Sequence, residues 1–491
     1  MDSPQLVGIY LSPSGIHVAA YTPDGELLTK GSAEVTDQTT VAWERALREA
    51  TPSVPATGIC SVASTSGTTL LVDEYGEPVF PPQMYYEGAP TQAARLEKQV
   101  DVGSESGTEI ALSPTAPLSK ILKLREEHPE RFSNVEWILS PTTWLLYRLC
   151  NGSSTRWRDI ETDWTNALKF GADVTASVPE WFDSLYETVG LDPSLLPTIR
   201  PPGSFVGTAD SELAQRTGLD NLRLFQGVTD GNAFVLANGC FEPGDFSVTF
   251  GGASVVKYVS ESIKPHNALY YHRHPLKGYL SGAAFDSGEA LRWFFDRVLK
   301  TTAERGLELA RATHAGEEYE MFLEGNRGPF FDQQVGSSLL GLRYDRSLST
   351  DTVHGKLARG LTTSIVLAEW TYISIIEDHF DTTIEQVRLL NDDAPTPDDS
   401  YAWWNEYRAS VWNRSIIEME PRTIAGLLIP AALISSVYKT PEEAKDRLLR
   451  RRDVVKPDQD ISDRYAAQRE SYFERWRDVA NLYGHDPSTH E

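Results

Sequence analysis

The chain has little cysteine, no long apolar run and a shortage of positive charge. Its 491 residues hold three cysteines, Cys60, Cys150 and Cys240. They are odd in number and far apart, which gives neither a zinc spacing nor a disulfide framework and points to a reducing compartment. No window approaches the roughly 18 apolar residues that a membrane helix needs. The opening MDSPQLVGIY lacks the basic region and apolar run of a secretory signal. A soluble, cytoplasmic protein is therefore expected, with no membrane partner. Lys and Arg total 45 against 70 Asp and Glu, a formal net charge of -25. Binding nucleic acid needs clustered cations, so nucleic acid is excluded as an expected partner. So acidic a surface suits a salt-rich cytoplasm, where screening relieves self-repulsion.

What is present is material for two cores. Hydrophobic residues make up 40% of the chain, and a single core rarely grows past about 250–300 residues. Residues 5–30 read as strand, small-residue turn, strand, Asp-Gly turn and strand, and residues 246–260 begin in the same way. After 285 apolar residues recur at spacings of three and four, as helices require. The apolar segment 424–438 reads as a helix inside the second domain, bent by Pro430. The Pro243-Gly244 turn marks a boundary, giving domains over 1–241 and 242–491. Periodicity sets the class as α/β without fixing a topology.

The most informative stretch runs from Leu224 to Tyr258. A short apolar strand ends at Asp230, set between Thr229 and Gly231, and the helix after it closes at Gly239. At such a junction an Asp either caps the helix through backbone N–H groups or acts as a general base on a substrate hydroxyl. Beyond the Pro-Gly turn, FSVTF and VVKYV read as strands joined by Gly251-Gly252-Ala253-Ser254. That loop is either a plain hairpin turn or a set of backbone donors for an anion such as phosphate. His272 and His274 flank Arg273, too few ligands for a metal site; no protein-held metal site is expected.

These residues resemble the FGGY carbohydrate kinases, in detail the ketopentose branch of D-ribulokinase and xylulokinase kind. Asp230 falls where that family has its catalytic Asp, and Gly251, Gly252 and Ser254 fall where it has a phosphate loop. Ser66-Gly67-Thr68-Thr69, with the segment leading on to Tyr86, is similar to the sugar-binding segment, and ETDWTNALKFGADV at 161–174 to a further stretch of the same domain. Gly325-Asn326-Arg327-Gly328-Pro329 resembles part of the second half. The family's first phosphate loop corresponds here to Tyr10-Leu11-Ser12-Pro13-Ser14-Gly15. Its Asn-Asp-x-Arg sugar motif corresponds to Tyr86-Glu87-Gly88-Ala89, and its glycine run near the nucleotide to Asn391-Asp392-Asp393-Ala394. The resemblance implies two actin-like, ribonuclease-H-like α/β domains facing a deep interdomain cleft. It implies ATP and Mg2+ as cofactors and a small-molecule sugar as substrate, with the oligomeric state left open. Thr69, Tyr86, Glu87 and Asn166 would join Asp230 at the sugar. Ser12, Ser14, Gly251, Gly252, Ser254, Arg327, Asp392 and Asp393 would face the nucleotide. The alternatives are a catalytically silent relative that binds a sugar or nucleotide, and an actin-like assembly ATPase, which the sugar-segment resemblance does not favour.

Overall fold

A computed structural model describes residues 4–54, 57–100, 111–325, 327–330, 332, 334–342, 344–391 and 399–484. The chain divides into two compact α/β units. The first holds residues 1–241, 272–279 and 422–450; the second holds 242–271, 280–421 and 451–491. The first crossing falls between Phe241 and Glu242, just before the Pro243-Gly244 turn. The second unit, however, is not one continuous stretch, because two later segments return to the first.

The first unit is built on a six-stranded sheet of β1 (Gln5–Leu11), β2 (Gly15–Tyr21), β3 (Leu27–Glu34), β4 (Gly58–Ser64), β5 (Phe205–Thr208) and β6 (Arg223–Thr229), in the order β5-β6-β4-β1-β2-β3. β1, β2 and β3 form an antiparallel meander, whereas β1, β4 and β6 run parallel. The three parallel strands are buried along almost their whole length, as a sheet covered on both faces requires. Leu11 pairs with Ser64, and Ser64 with Thr229, so these strands end together at their carboxyl edges. In open α/β sheets that edge is where ligands bind.

The apolar segment near residue 424 corrects the expectation placed on it. It forms the helix Thr423–Ile434, which belongs to the first unit and packs on β1, β4 and the helix Asp230–Ala237. The fit is close. A Cβ on Gly426 would lie 2.6 Å from Ala237 N and 2.7 Å from Ala233 O. With Leu427, Leu428 and Ile429 at 0% exposure, this one helix buries three large side chains, worth about 1.5–3 kcal/mol each. Which of two sheets an all-round apolar helix covers is a tertiary matter that its own sequence does not carry.

The second unit repeats the pattern. Its strands are β7 (Phe246–Phe250), β8 (Ala253–Ser260), β9 (Tyr270–Arg273), β10 (Tyr279–Asp286), β11 (Gln386–Asn391), β12 (Ser415–Met419) and β13 (Arg451–Val455), in the order β9-β10-β8-β7-β11-β12-β13. β7 is antiparallel to β8 and parallel to β11; β11 is parallel to β12, and β13 closes the edge antiparallel. Each sheet thus has an antiparallel hairpin at its centre (β1–β2, β7–β8), two further strands parallel to its first strand and one antiparallel edge strand; beyond β8 the second sheet adds β10 and β9. The long helix Thr350–Phe380 runs through this unit's core. Among the described residues, no helix is long and apolar enough to cross a membrane.

Candidate functional site

In the first unit the residues that could do chemistry gather at the carboxyl edge of β1, β4 and β6. Asp230 is the first residue of the helix Asp230–Ala237, immediately after β6. β6 carries an irregularity just before it: Phe225 faces Ser61 but Val228 faces Ala63, so one extra residue is accommodated at Gln226-Gly227. Gly227 permits this, since a Cβ there would lie 1.6 Å from Val62 O. A bulge of this kind re-aims the end of its strand and the side chains beyond. Asp230 is half-buried, and its Oδ1 accepts the Gly231 N–H at 2.7 Å. Burial pushes its carboxyl pKa up. The backbone N–H groups of Gly231 and Ser66 and the nearby Lys169 charge pull it back. The helix N-cap position belongs to Thr229, so Asp230 bonds the N–H of its neighbour rather than capping from outside.

Around it the backbone is fixed by short polar bonds. Asp163 Oδ1 accepts from Thr165 N and Asn166 N, and Asp163 Oδ2 accepts from Asn166 Nδ2 at 2.6 Å. Thr165 Oγ1 in turn accepts the Thr229 N–H at 3.0 Å, which ties this turn to the end of β6. Asn166 is buried, and its Oδ1 has no hydrogen-bond partner among the described residues. Ser66 Oγ is in the same position. Two orphaned acceptors near a carboxylate suit a hydroxyl-bearing ligand, because leaving buried polar groups unmatched costs about 1–3 kcal/mol each.

A lysine pair, not anticipated from the sequence, completes the edge. Lys120 is buried and donates to Gly67 O at 2.9 Å, Met84 O at 2.8 Å and Gln83 O at 3.4 Å. It thereby joins the 66–69 loop to the 83–87 turn. Burial brings its pKa down to about 7; Glu87 supports the charged form and Lys169 opposes it. Lys169 lies within the 161–174 segment that the sequence singled out. Asn166 alone is named from that segment as a site residue, and nothing in the sequence draws the eye to Lys169.

Thr69, expected at the sugar, is fully buried, its backbone paired with Gln83 and its hydroxyl near Gly67 O at 3.4 Å. Tyr86 is 60% exposed and stacks edge-on with Tyr85. Glu87 accepts the Met84 N–H at 2.6 Å. Ser12 closes the β1–β2 turn on itself: its Oγ accepts the Gly15 N–H and donates to Gly15 O. Ser14 is exposed, 3.4 Å from Ser12 Oγ. Tyr10 packs edge-on against Phe234 of the Asp230 helix and stacks on His17. Arg273 bonds Val174 O and Ala176 O, and His274 accepts the Leu276 and Lys277 N–H groups.

In the second unit, Gly251-Gly252 joins β7 to β8. Gly251 N–H donates to Ala253 O at 3.0 Å, and Gly252 O accepts the Glu289 N–H at 2.9 Å. Ser254, expected at the nucleotide, engages its hydroxyl within the fold. It is buried and donates to Glu369 Oε1 at 2.8 Å, and Glu369 is paired with the fully buried Arg408. Arg327 is 3.2 Å from Asp286. Asp286 Oδ2, Ser287 Oγ and Asn391 Oδ1 are buried with no hydrogen-bond partner among the described residues. Asn391 pairs in register with Phe250, next to the glycine turn. Asp392 and Asp393 lie outside the described residues. No group of three His, Cys, Asp or Glu suited to a metal occurs among the described residues.

Two sheets that share a central hairpin followed by parallel strands, with a desolvated carboxylate at the parallel edge of the first and a glycine turn at the corresponding edge of the second, have the fold of the actin-like class of α/β proteins. Comparison with known proteins narrows this. Residues 16–236 match the N-terminal domain of the FGGY family of carbohydrate kinases. Xylulose kinase of Lactococcus lactis subsp. lactis is 26% identical over 238 residues, 46% of this chain and 45% of that protein. The chain thus spans about half the length of that relative. Among solved structures, xylulose kinase from Rhodospirillum rubrum has a TM-score of 0.82 at 19% identity, covering 98% of this chain and 100% of that one. Gluconate kinase from Lactobacillus acidophilus also reaches 0.82, at 16% identity, over 98% and 99%. Over residues 16–236 the chain is thus similar to the FGGY family of carbohydrate kinases, and over nearly its whole length it shares the fold of solved kinases.

Proposed function

We propose that the protein is an ATP-dependent sugar kinase, transferring the γ-phosphoryl group of ATP to a hydroxyl of a ketopentose or related sugar or polyol, as xylulokinases and ribulokinases do. The observation that carries this reading is Asp230, a partly desolvated carboxylate at the parallel edge of its sheet. Its basicity is raised by burial, and its orientation is held by the Ser66 and Gly231 N–H groups. Asp230 takes the proton of the substrate hydroxyl as that oxygen attacks phosphorus; the bond to the leaving ADP oxygen breaks as the new P–O bond forms. Asn166 and Ser66, with their orphaned oxygens, bind the remaining hydroxyls.

Within the second unit, a separate set of residues suits a nucleotide. Asp286, Ser287 and Asn391 present unmatched oxygens, the donor type that a hard cation takes, and Arg327 stands beside Asp286 to meet phosphate charge. These residues would hold the magnesium nucleotide, and magnesium, when bound, spreads the charge of the transferring group. Here the nucleotide set rests on Asp286 and Ser287 rather than on the hydroxyl of Ser254.

A second reading, a silent relative that binds ligand without turnover, draws on particular observations: the hydroxyls of Ser12 and Ser254 are spent within the fold, and Tyr10, near the end of β1, offers no carboxylate where the strand leads into its turn. ADP release from ATP and magnesium, measured against a panel of ketoses, polyols and sugar acids, separates the two. Turnover should require a sugar, and Asp230→Ala should lower kcat by about 100-fold or more. Absence of both sugar-stimulated ADP release and calorimetric ATP binding would favour the silent relative.

A further inference from the structure

We propose that Lys120 is a positioning residue for Asp230: its Nζ fixes the 65–68 turn, and the Ser66 N–H of that turn aims the Asp230 carboxylate. This rests on the kinase reading above for what Asp230 does, but not for how Asp230 is held. Lys120 lies in the helix Pro117–Glu127, whose Leu118, Ile121 and Leu122 are buried in an apolar cluster of the first unit. From that anchored backbone its Nζ donates to Gly67 O, Met84 O and Gln83 O at 2.9, 2.8 and 3.4 Å. The turn it grips is stiff. The Thr65 and Thr68 hydroxyls bond across it at 3.0 Å, Gly67 has a φ of +87°, and Thr69 exchanges two backbone hydrogen bonds with Gln83. Ser66, inside this turn, gives its N–H to Asp230.

The energetics favour geometry over stability as the reason for a lysine here. Taking an ammonium out of water is costly, and well-packed apolar groups often fill such a space with no loss of stability. Lys120 is 2% exposed, and burial brings its pKa down to about 7, with Glu87 favouring the charged form and Lys169 opposing it. What an apolar side chain cannot do is hold three carbonyls of two separate segments in fixed directions. Asp230 needs that precision, because a base must lie within hydrogen-bond reach of the hydroxyl it serves, and a displacement of about 1 Å can cost about 100-fold in rate. The other side of Asp230 is held independently: the buried Asp163 accepts the Thr165 N–H, and Thr165 Oγ1 accepts the Thr229 N–H at 3.0 Å. Lys120 supplies the tether on the Ser66 side.

Kinetics of Lys120→Met in the full chain, on folded protein and with a sugar that gives turnover, test this. kcat should fall about 10–100-fold with a smaller rise in KM. The acid limb of kcat/KM should move up by about 0.5 in pH or more, because Asp230 loses the N–H that favours its charged form, while Lys169 and Asp163 stay in place. Lys120→Gln, neutral but still an N–H donor with a shorter reach, should show the same changes in weaker form, so the test stands if Lys120→Met does not fold. Natural kcat in both folded variants, or recovery in Lys120→Arg with Lys120→Gln no better than Lys120→Met, would overturn the proposal, the latter by showing that charge alone matters. The titration of the Asp230 carboxyl, followed by 13C NMR with Asp230→Asn assigning its signal, reads the same tether without turnover. An upward shift in Lys120→Met, in a protein that no sugar drives to release ADP, would leave the inference standing and defeat the kinase reading. Sugar-driven ADP release that Asp230→Ala abolishes and Lys120→Met leaves untouched would do the reverse.

Discussion

Lys120 shows how one side chain can serve both stability and ligand geometry. Its folded pKa of about 7 lies below the roughly 10.4 of an unfolded lysine. Between those values the unfolded chain carries a proton that the folded chain has shed, so this residue's contribution to stability rises with pH from about 7 to about 10 and is least favourable below 7. Lys120→Met lacks the group. In urea unfolding, the stability difference between the natural protein and this variant should move in favour of the natural protein between pH 6 and pH 9, by ~1–3 kcal/mol. A pH-independent difference would show that the three carbonyls hold the ammonium charged. Asp230 predicts the opposite limb. Because burial raises its pKa, kcat/KM should fall on acidification at a pH above the ordinary aspartate value of about 4. An acid limb at the ordinary value would remove desolvation from the account of its basicity.

Elements decide which residues could be read from sequence. Asp230 was legible because strand, acid, glycine and apolar helix are consecutive, and the structure keeps them so. Ser254 was legible as part of a hairpin, but its partner Glu369 lies 115 residues away, beyond any local pattern. Lys120 and Lys169 were missed for the same reason: their partners belong to other segments, and a lysine in a helix or turn carries no mark of burial. The Ser254–Glu369–Arg408 cluster gives a test at this scale. Arg408 donates twice to Glu369 at 3.0 and 3.1 Å and lies over the rings of Phe250 and Trp404. Removing one member of a fully buried pair leaves an uncompensated charge. Arg408→Met should therefore cost about 3–5 kcal/mol in chemical denaturation, and adding Glu369→Met should recover most of it. No recovery in the double variant would mean that the pair contributes net stability beyond charge compensation.

For the whole molecule, the duplicated sheet pattern was foreshadowed by the two hairpin echoes, while the return of residues 422–450 to the first unit had no local signal. Net charge acts at this scale too. With -25 formal charges, self-repulsion should destabilise the folded chain at low salt. Raising KCl from about 0.1 M to about 1 M shortens the screening length from about 10 to about 3 Å and should raise the melting temperature by several degrees. A flat or falling dependence would show that the acidic groups are already compensated locally.

The helix Thr423–Ile434 also sets a schedule for synthesis on the ribosome. Domains generally form as they emerge, N-terminal part first. Here the lining of the opening sheet is encoded more than 180 residues beyond Phe241, where that unit's first stretch ends. While translation proceeds through the intervening stretch, β1 and β4 lack the cover that Leu427, Leu428 and Ile429 later provide. The nascent polypeptide thus carries a sticky, incomplete half until the helix Thr423–Ile434 is made, a window in which chaperone protection would matter most.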